Sequence, residues 1–173
     1  NMTRQSIEKY NLQRIIDKAW EDDAKPYCSS NIGASSIGCR CLRSTYLSFR
    51  WVSPTEKFNG QMLRLFDMGS REEDVMVENL KKIGFDIRYT GKEQLKMQIA
   101  PHVICRPDGV IFSGLPEQES PVNFENKTMN RSNFDKLEKQ GLRNAKPEYY
   151  DQAQCEMYGE SVELKEYVDT TLF

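Results

Sequence analysis

Between Ser6 and about Trp20, apolar residues recur at roughly helical spacing, at Ile7, Leu12, Ile15, Ile16, Ala19 and Trp20, and predict a first helix. A polar, proline-containing stretch from Glu21 to Tyr27 breaks the pattern. From Ser29 to Arg50 it resumes, with Ser35-Ser36 placed to cap a helix running through Leu42, Tyr46, Leu47 and Phe49. After a loop over Pro54 to Gly60, the strongest periodic run, Gln61 to Ile83, predicts the main helix, and Gly84 stops it. Three strand-like or turn-like runs follow, at Phe85–Thr90, Leu95–Ile99 and Val103–Phe112, and Gly114 to Pro121 reads as a turn. Pro121–Met129 reads as a strand with Val122 and Phe124 on one face and Asn123, Glu125 and Lys127 on the other. A short helix over Phe134–Gln140, a helix opened by Pro147 and running to about Glu160, and a last strand within Val162–Leu172 complete the chain. Helices, then a strand meander, then helices predict one α/β domain over residues 1–173, with a central mixed sheet flanked by helices.

Composition narrows the chemistry. The length of 173 residues suits one domain, and 38% hydrophobic content is enough for a core. A single histidine, His102, excludes a zinc site built on two or more histidines and leaves only one partner for a histidine-activated nucleophile. His102 stands beside Pro101 and is assigned no catalysis. Five cysteines, an odd and scattered set (Cys28, Cys39, Cys41, Cys105, Cys155), read as reduced thiols, and Asn1–Gln5 carries no apolar signal segment, so an intracellular, cytoplasmic setting is expected. No run approaches the ~18–20 apolar residues of a membrane span. The 24 basic and 26 acidic residues leave a net charge of −2, which excludes a uniformly basic coat but not a locally basic groove. From Lys127 to Lys146, six bases (Lys127, Arg131, Lys136, Lys139, Arg143, Lys146) face two acids (Asp135, Glu138).

Three motifs carry chemistry. Arg106-Pro107-Asp108-Gly109 puts an acid at a tight bend that opens an apolar strand. In Phe124-Glu125-Asn126-Lys127, strand alternation puts Glu125 and Lys127 on one face, about 7 Å apart. In Gln154-Cys155-Glu156-Met157-Tyr158, helical spacing puts Gln154 and Tyr158 one turn apart. Two carboxylates on neighbouring strands suit Mg²⁺ or Mn²⁺, hard ions that prefer oxygen ligands. Such a metal activates water against a phosphodiester, with Lys127 beside it to orient that water or stabilise phosphate charge, and the Asn126 carbonyl is a further ligand candidate.

Asp108…Glu125-Asn126-Lys127 resembles the signature of the PD-(D/E)XK nuclease superfamily. The trailing Gln154-x-x-x-Tyr158 resembles a motif of its RecB-like and phage lambda-type exonuclease branch. Upstream, Gly69-Ser70-Arg71-Glu72-Glu73 is similar to the branch's helical motif, with Glu73 in the acidic position. Glu73 shares a helical stripe with Phe66, Gly69, Met76, Val77 and Leu80, whereas Glu72 points away from it. Ser35-Ser36…Cys39-Arg40…Arg43…Tyr46 is similar to the branch's N-terminal helix near DNA. The likeness spans about Ser35 to Tyr158.

It implies a restriction-endonuclease-like core over about residues 61–160, with N-terminal helices within residues 5–50 on the DNA-binding side. It further implies metal ligation by Asp108, Glu125, Glu73 and Asn126, catalysis by Asp108, Glu125, Lys127, Gln154 and Tyr158, and DNA contacts from Ser35, Ser36, Arg40 and Arg43, to which the basic run adds Arg131. The implied activity is a Mg²⁺- or Mn²⁺-dependent deoxyribonuclease leaving 5′-phosphates on linear duplex or single-stranded DNA. The implied setting is an exonuclease in phage or recombination-type DNA processing, with phage encoding in a bacterial host, a homo-oligomer and a recombination partner protein as further expectations. Only Cys155 follows Lys127, so an iron–sulfur cluster is not expected.

Blander readings stand beside these. Pro-Asp-Gly forms ordinary turns, a Glu/Lys pair decorates edge strands, and charge runs usually cover solvated helix faces. Cys39-x-Cys41 is too tight for a zinc knuckle and reads as a pair of buried thiols, and Trp20 and Trp51 read as core or rim anchors. A structure-specific endonuclease and a non-cleaving DNA-binding module are the competing functions. No Gly-rich phosphate loop supports a nucleotide-binding enzyme.

Overall fold

A computed structural model describes residues 11–25, 29–52 and 57–173. The expected helix start at Ser6, with Ile7, lies outside the described residues, as do Cys28 and the Pro54 end of the loop before Gly60.

The N-terminal half is helical. Helix α1 (Leu12–Asp23) begins at Asn11, whose side chain accepts the Arg14 amide at 3.3 Å. After a two-residue strand β1 (Ile32–Gly33), Ala34–Ser36 forms one 3₁₀ turn, and α2 (Leu42–Phe49) starts only at Cys41, without a side-chain cap. Ser35-Ser36 therefore does not cap α2. The long α3 (Gly60–Lys82) is capped by Asn59, which accepts the Met62 amide at 2.9 Å, and Gly84 stops it in a left-handed conformation at φ +97°. A polar clasp fixes α3 against α1. The Arg64 guanidinium donates twice to Asp17 Oδ1, at 2.7 and 3.1 Å, and the Gly60 amide donates to Glu21 Oε1 at 2.8 Å.

The strands form two small mixed sheets rather than one central sheet. In the first, β4 (Val103–Cys105) lies between β1, parallel to it, and β3 (Met97–Ala100), antiparallel. In the second, β2 (Asp86–Arg88), β5 (Gly109–Ser113) and β6 (Val122–Phe124) run antiparallel in that order, and β7 (Thr171–Leu172) adds parallel to β6. The expected Val103–Phe112 run is split at Arg106-Pro107-Asp108. Pro107 has no amide to give a ladder, so β4 joins one sheet and β5 the other.

The C-terminal half contains α4 (Arg131–Gln140), α5 (Leu142–Ala145) and α6 (Pro147–Leu164). Helix α4 begins at its Asn130 cap, earlier than the expected Phe134. Helix α6 runs past Val162 to Leu164, so only Thr171–Leu172 of the expected last strand pairs.

Two cores result. Val77 from α3 packs with Ile87, Ile111, Val122 and Phe124 of the four-stranded sheet. Ala34, Met97 and Cys105 pack with Leu95, Ile99 and Cys155, joining α6 to the three-stranded sheet. Gly159 lets α6 approach closely, since a Cβ there would lie 3.1 Å from both Ile99 and Met97. Of the stripe expected around Glu73, Val77 and Leu80 turn inward, while Phe66 and Met76 are 46% and 43% exposed. Among the described residues no helix is long and apolar enough to cross a membrane.

A Cβ at Gly60 would overlap the Asp17 backbone, so the α1–α3 contact depends on that glycine. Gly60→Ala is expected to lower stability by roughly 1–3 kcal/mol, read as a lower urea midpoint at unchanged slope.

Candidate active site

Strand register brings the first two carboxylates together. Gly109 pairs with Phe124, so Asp108, one residue before β5, faces Glu125, one residue after β6. Neighbours across an antiparallel pair lie about 4.5–5.5 Å apart at Cβ. The Asn126 amide donates to Asp108 Oδ2 at 2.8 Å and pins the Asp108 carboxylate beside the Glu-x-Lys segment. The third carboxylate, Glu73, comes from α3, while Glu72 is exposed. Gln94 ties it in, donating through Nε2 to Glu73 Oε1 at 3.2 Å and to Asp108 Oδ1 at 3.4 Å. Gly69, one turn before Glu73, passes close to Thr128, and a Cβ there would lie 3.5 Å from its hydroxyl.

Glu125 is the most enclosed of the three, 2% exposed. Its Oε1 accepts from the Lys127 ammonium and from Gln152 Nε2, the latter at 2.7 Å. Gln152 also donates to Glu156 Oε1 at 2.8 Å, and Asn123 Nδ2 reaches Glu156 Oε2 at 3.3 Å and Thr171 Oγ1 at 3.2 Å. One turn further along α6, Glu160 is fully buried, and neither of its carboxyl oxygens has a hydrogen-bond partner among the described residues. Glu125 Oε2 is likewise buried and unpartnered among them. Lys127 Nζ lies 5.3 Å from the centre of the Tyr149 ring.

Five buried or half-buried acids, Glu73, Asp108, Glu125, Glu156 and Glu160, gathered near one lysine cannot all be ionised cheaply. Burial, then the nearby Glu125 charge, pushes Asp108 up to about 7, against the opposing Asn126 amide. The same two causes push Glu156 up to about 8. Burial and the neighbouring Glu156 push Glu160 up to about 9. Burial also raises Glu73. Burial works against the Lys127 charge, but the Glu125 carboxylate, with Asp108 and Glu156, outweighs it and holds the ammonium above its ordinary value.

The structure gathers Glu73, Asp108, Glu125, Asn126 and Lys127. It does not bring Gln154 and Tyr158 to them. Gln154 is exposed and Tyr158 is 60% exposed, on the face of α6 opposite Gln152 and Glu156. On a helix, positions two apart point nearly opposite ways. Ser35, Ser36, Arg40 and Arg43 are exposed, on the 3₁₀ turn, its following loop and α2. That turn packs on α6, and a Cβ at Gly38 would touch Glu148 Cα at 2.5 Å. Arg131 is exposed on the first turn of α4 and pairs with Asp135 at 2.8 Å. His102 occupies the β3–β4 turn at φ +64°. Cys39, Cys41, Cys105 and Cys155 are free thiols, with Cys105 buried, Cys155 and Cys39 half-buried and Cys41 exposed, so the expectation of buried thiols fails at Cys39 and Cys41.

Gln94, Asn123, Gln152, Glu156 and Glu160 were not singled out by the sequence motifs. A signal existed for three of them. Gln152, Glu156 and Glu160 recur every four residues on α6 among the small or apolar Ala153, Met157 and Gly159, an i, i+4 polar line on an inward face.

Among the described residues no three His, Cys, Asp or Glu side chains converge into a ready metal cage. The oxygen donors that do converge, the facing carboxylates of Asp108 and Glu125, nevertheless suit Mg²⁺ or Mn²⁺, which need only one or two protein carboxylates when phosphate and water complete the shell. The unpartnered Glu125 Oε2 is a free donor of that kind. Compared with known proteins, the chain matches no family model, no curated protein and no solved structure.

The raised Glu160 gives a signed pH prediction. Its folded pKa, about 9, exceeds that of an unfolded glutamate, so the folded state holds the proton more tightly. Its stabilising contribution is full below about pH 4 and is lost as pH rises through about 9. Glu160→Gln, which mimics the protonated acid, is expected to change urea stability little at pH 5 and to gain at least ~1 kcal/mol over wild type at pH 9.

Proposed function

We propose that this chain is a metal-dependent DNA nuclease with a restriction-endonuclease-like core. The observation that carries the reading is the pairing of Asp108 with a buried, half-satisfied Glu125 beside Lys127. The bent strand opening at Asp108, the Glu125-Asn126-Lys127 run and helix-borne Glu73 converge from three distant parts of the chain. The ordered sequence motifs Gly69…Glu73, Asp108 and Glu125-Asn126-Lys127, not the geometry, support the finer reading of an exonuclease that leaves 5′-phosphates.

Asp108 and Glu125 would hold a Mg²⁺ or Mn²⁺ ion, with the Asn126 carbonyl as a further ligand and Glu73 behind Gln94 as a helix-borne one. When bound, the ion supplies Lewis-acid polarisation of a phosphodiester and makes water more acidic. The protein's own groups do the positioning. Gln152 and Lys127 both grip Glu125 Oε1, which leaves Oε2 as the free donor. The Lys127 ammonium, held charged by its carboxylate neighbours, donates hydrogen bonds to a water or to the charge that develops on phosphate. Gln94 holds Glu73 and Asp108 at a fixed separation without adding charge. Exposed Arg131, Lys136 and Lys139 on α4, with Arg40 and Arg43 across the molecule's N-terminal part, offer phosphate-backbone contacts.

The test is nuclease activity on linear duplex, closed circular and single-stranded DNA with Mg²⁺ or Mn²⁺, with and without EDTA. Cleavage should need the metal, release 5′-phosphates and fall about 10²-fold or more in Lys127→Ala. Lys127→Ala cutting as well as wild type would sink the nuclease reading, and cutting of closed circles would reject an exonuclease. In the same assay Gln152→Ala should lose about tenfold or more, whereas Gln154→Ala, on the outer face of α6, should stay within about twofold of wild type.

A further inference from the structure

A second feature lies on the other side of Gln152. There a polar cleft of about 440 Å³ is lined by Ser29, Ser30, Asn31, Ser35, Lys96 and Arg106, with Gln152 and Glu156 in its wall. Neither Lys96 nor Arg106 forms an ion pair with a described residue. The rim is fixed rather than slack. The Ser29 hydroxyl donates to the Asn31 carbonyl at 2.8 Å and accepts its amide at 3.1 Å, and the Ile32 amide donates to the His102 carbonyl at 2.7 Å.

Trp51 does not line the cleft but is tied to its rim through Ser29. Its indole N–H donates to the Ser29 carbonyl at 2.9 Å, yet the side chain is 62% exposed. Its backbone is left-handed, φ +57°, as the helix-ending residue after α2, a place where glycine is ordinarily used. A bulky residue there costs on the order of 1 kcal/mol. Burial does not compensate that cost, because the ring faces water. The hydrogen bond instead holds a rigid aromatic face beside a cleft that carries several hydroxyls and two cations with no ion-pair partner among the described residues.

We infer that Trp51 and the Lys96–Arg106 cleft form a binding site for single-stranded DNA, with a base stacked on the Trp51 indole and phosphates held by Lys96, Arg106 and the serines. The chemistry selects this partner. Anionic phosphates need the cations and hydroxyl donors, and an exposed indole serves a ligand that offers an aromatic face. In a duplex those faces are stacked away, so the platform favours unpaired strand. Gln152 lines the cleft and also bonds Glu125, which puts a strand lying there one side chain from the carboxylates. The onward path of that strand rests on the nuclease reading, whereas its binding does not.

Binding is therefore tested in EDTA, where nothing is cut. In a Trp20→Phe background, Trp51 emission should be quenched by an oligothymidylate. Anisotropy of the same oligonucleotide, labelled, should give at least about fivefold weaker affinity for Trp51→Ala and near wild-type affinity for Trp51→Phe. Lys96→Ala/Arg106→Ala should weaken binding and flatten its dependence on log salt by about 1.4. The inference is overturned if Trp51→Ala binds as wild type, if blunt duplex or heparin binds and quenches equally, or if oligouridylate binds more tightly. Normal binding with no cleavage in Mg²⁺ or Mn²⁺ would count against the nuclease alone. Normal cleavage with no effect of Trp51→Ala would count against this site alone.

Discussion

Burial of one carboxylate organises the centre of this molecule. Glu125 sits at the end of a short strand whose other residues are core, and it is nearly closed off from water. An isolated ionised carboxylate there would cost far more than a domain's net stability. The surroundings meet that demand with Lys127 from the same segment and Gln152 from α6, both on one oxygen. The second oxygen is left unmatched. Much of the local architecture follows from this arrangement: α6 must lie across the sheet end to deliver Gln152, and Gln152 must in turn be held by Glu156, which Asn123 holds from β6.

The two sheets meet where this network needs them. Pro107 ends the three-stranded sheet and Asp108 opens the four-stranded one, so the break in the ladder is also the place where a side chain turns toward Glu125. Helix α6 spans both sheets, packing Cys155 into one core and placing Gln152 and Glu156 beside the other. Helix α3 brings Glu73 from the opposite side and is aimed by its clasp to α1 through Asp17, Glu21 and Arg64. A displacement of α6 would reach Glu125 through Gln152, and one of α3 would move Glu73 directly and reach Asp108 through Gln94.

Charge is distributed in the same way. The net of −2 conceals acids turned inward around Lys127 and bases turned outward on α4 and around the α6-side cleft. Interior acids hold protons because burial favours their neutral forms, which lowers the negative field that a phosphate would otherwise meet. An almost neutral chain is in this way compatible with a polyanionic partner.

Much of this was legible in the sequence, and the rest was not, for definite reasons. The helix from Gln61 to Ile83, its glycine stop, the Pro147 start of α6 and the α/β class follow from local periodicity and local backbone chemistry. Asp108, Glu125, Lys127 and Glu73 were visible because each sits in a short motif with its own turn or period. The split into two sheets was not visible, since strand partnership is decided by which ladder remains complete once Pro107 withholds an amide. Which face of α6 turns inward was not legible for a related reason: Gln154–Tyr158 and Gln152–Glu156 have the same spacing, and periodicity alone cannot say which of two such lines faces a carboxylate. Sequence by itself determined which residue types and turns were available. Tertiary structure decided which of them must satisfy Glu125, because only packing removes water and makes an unmatched charge expensive.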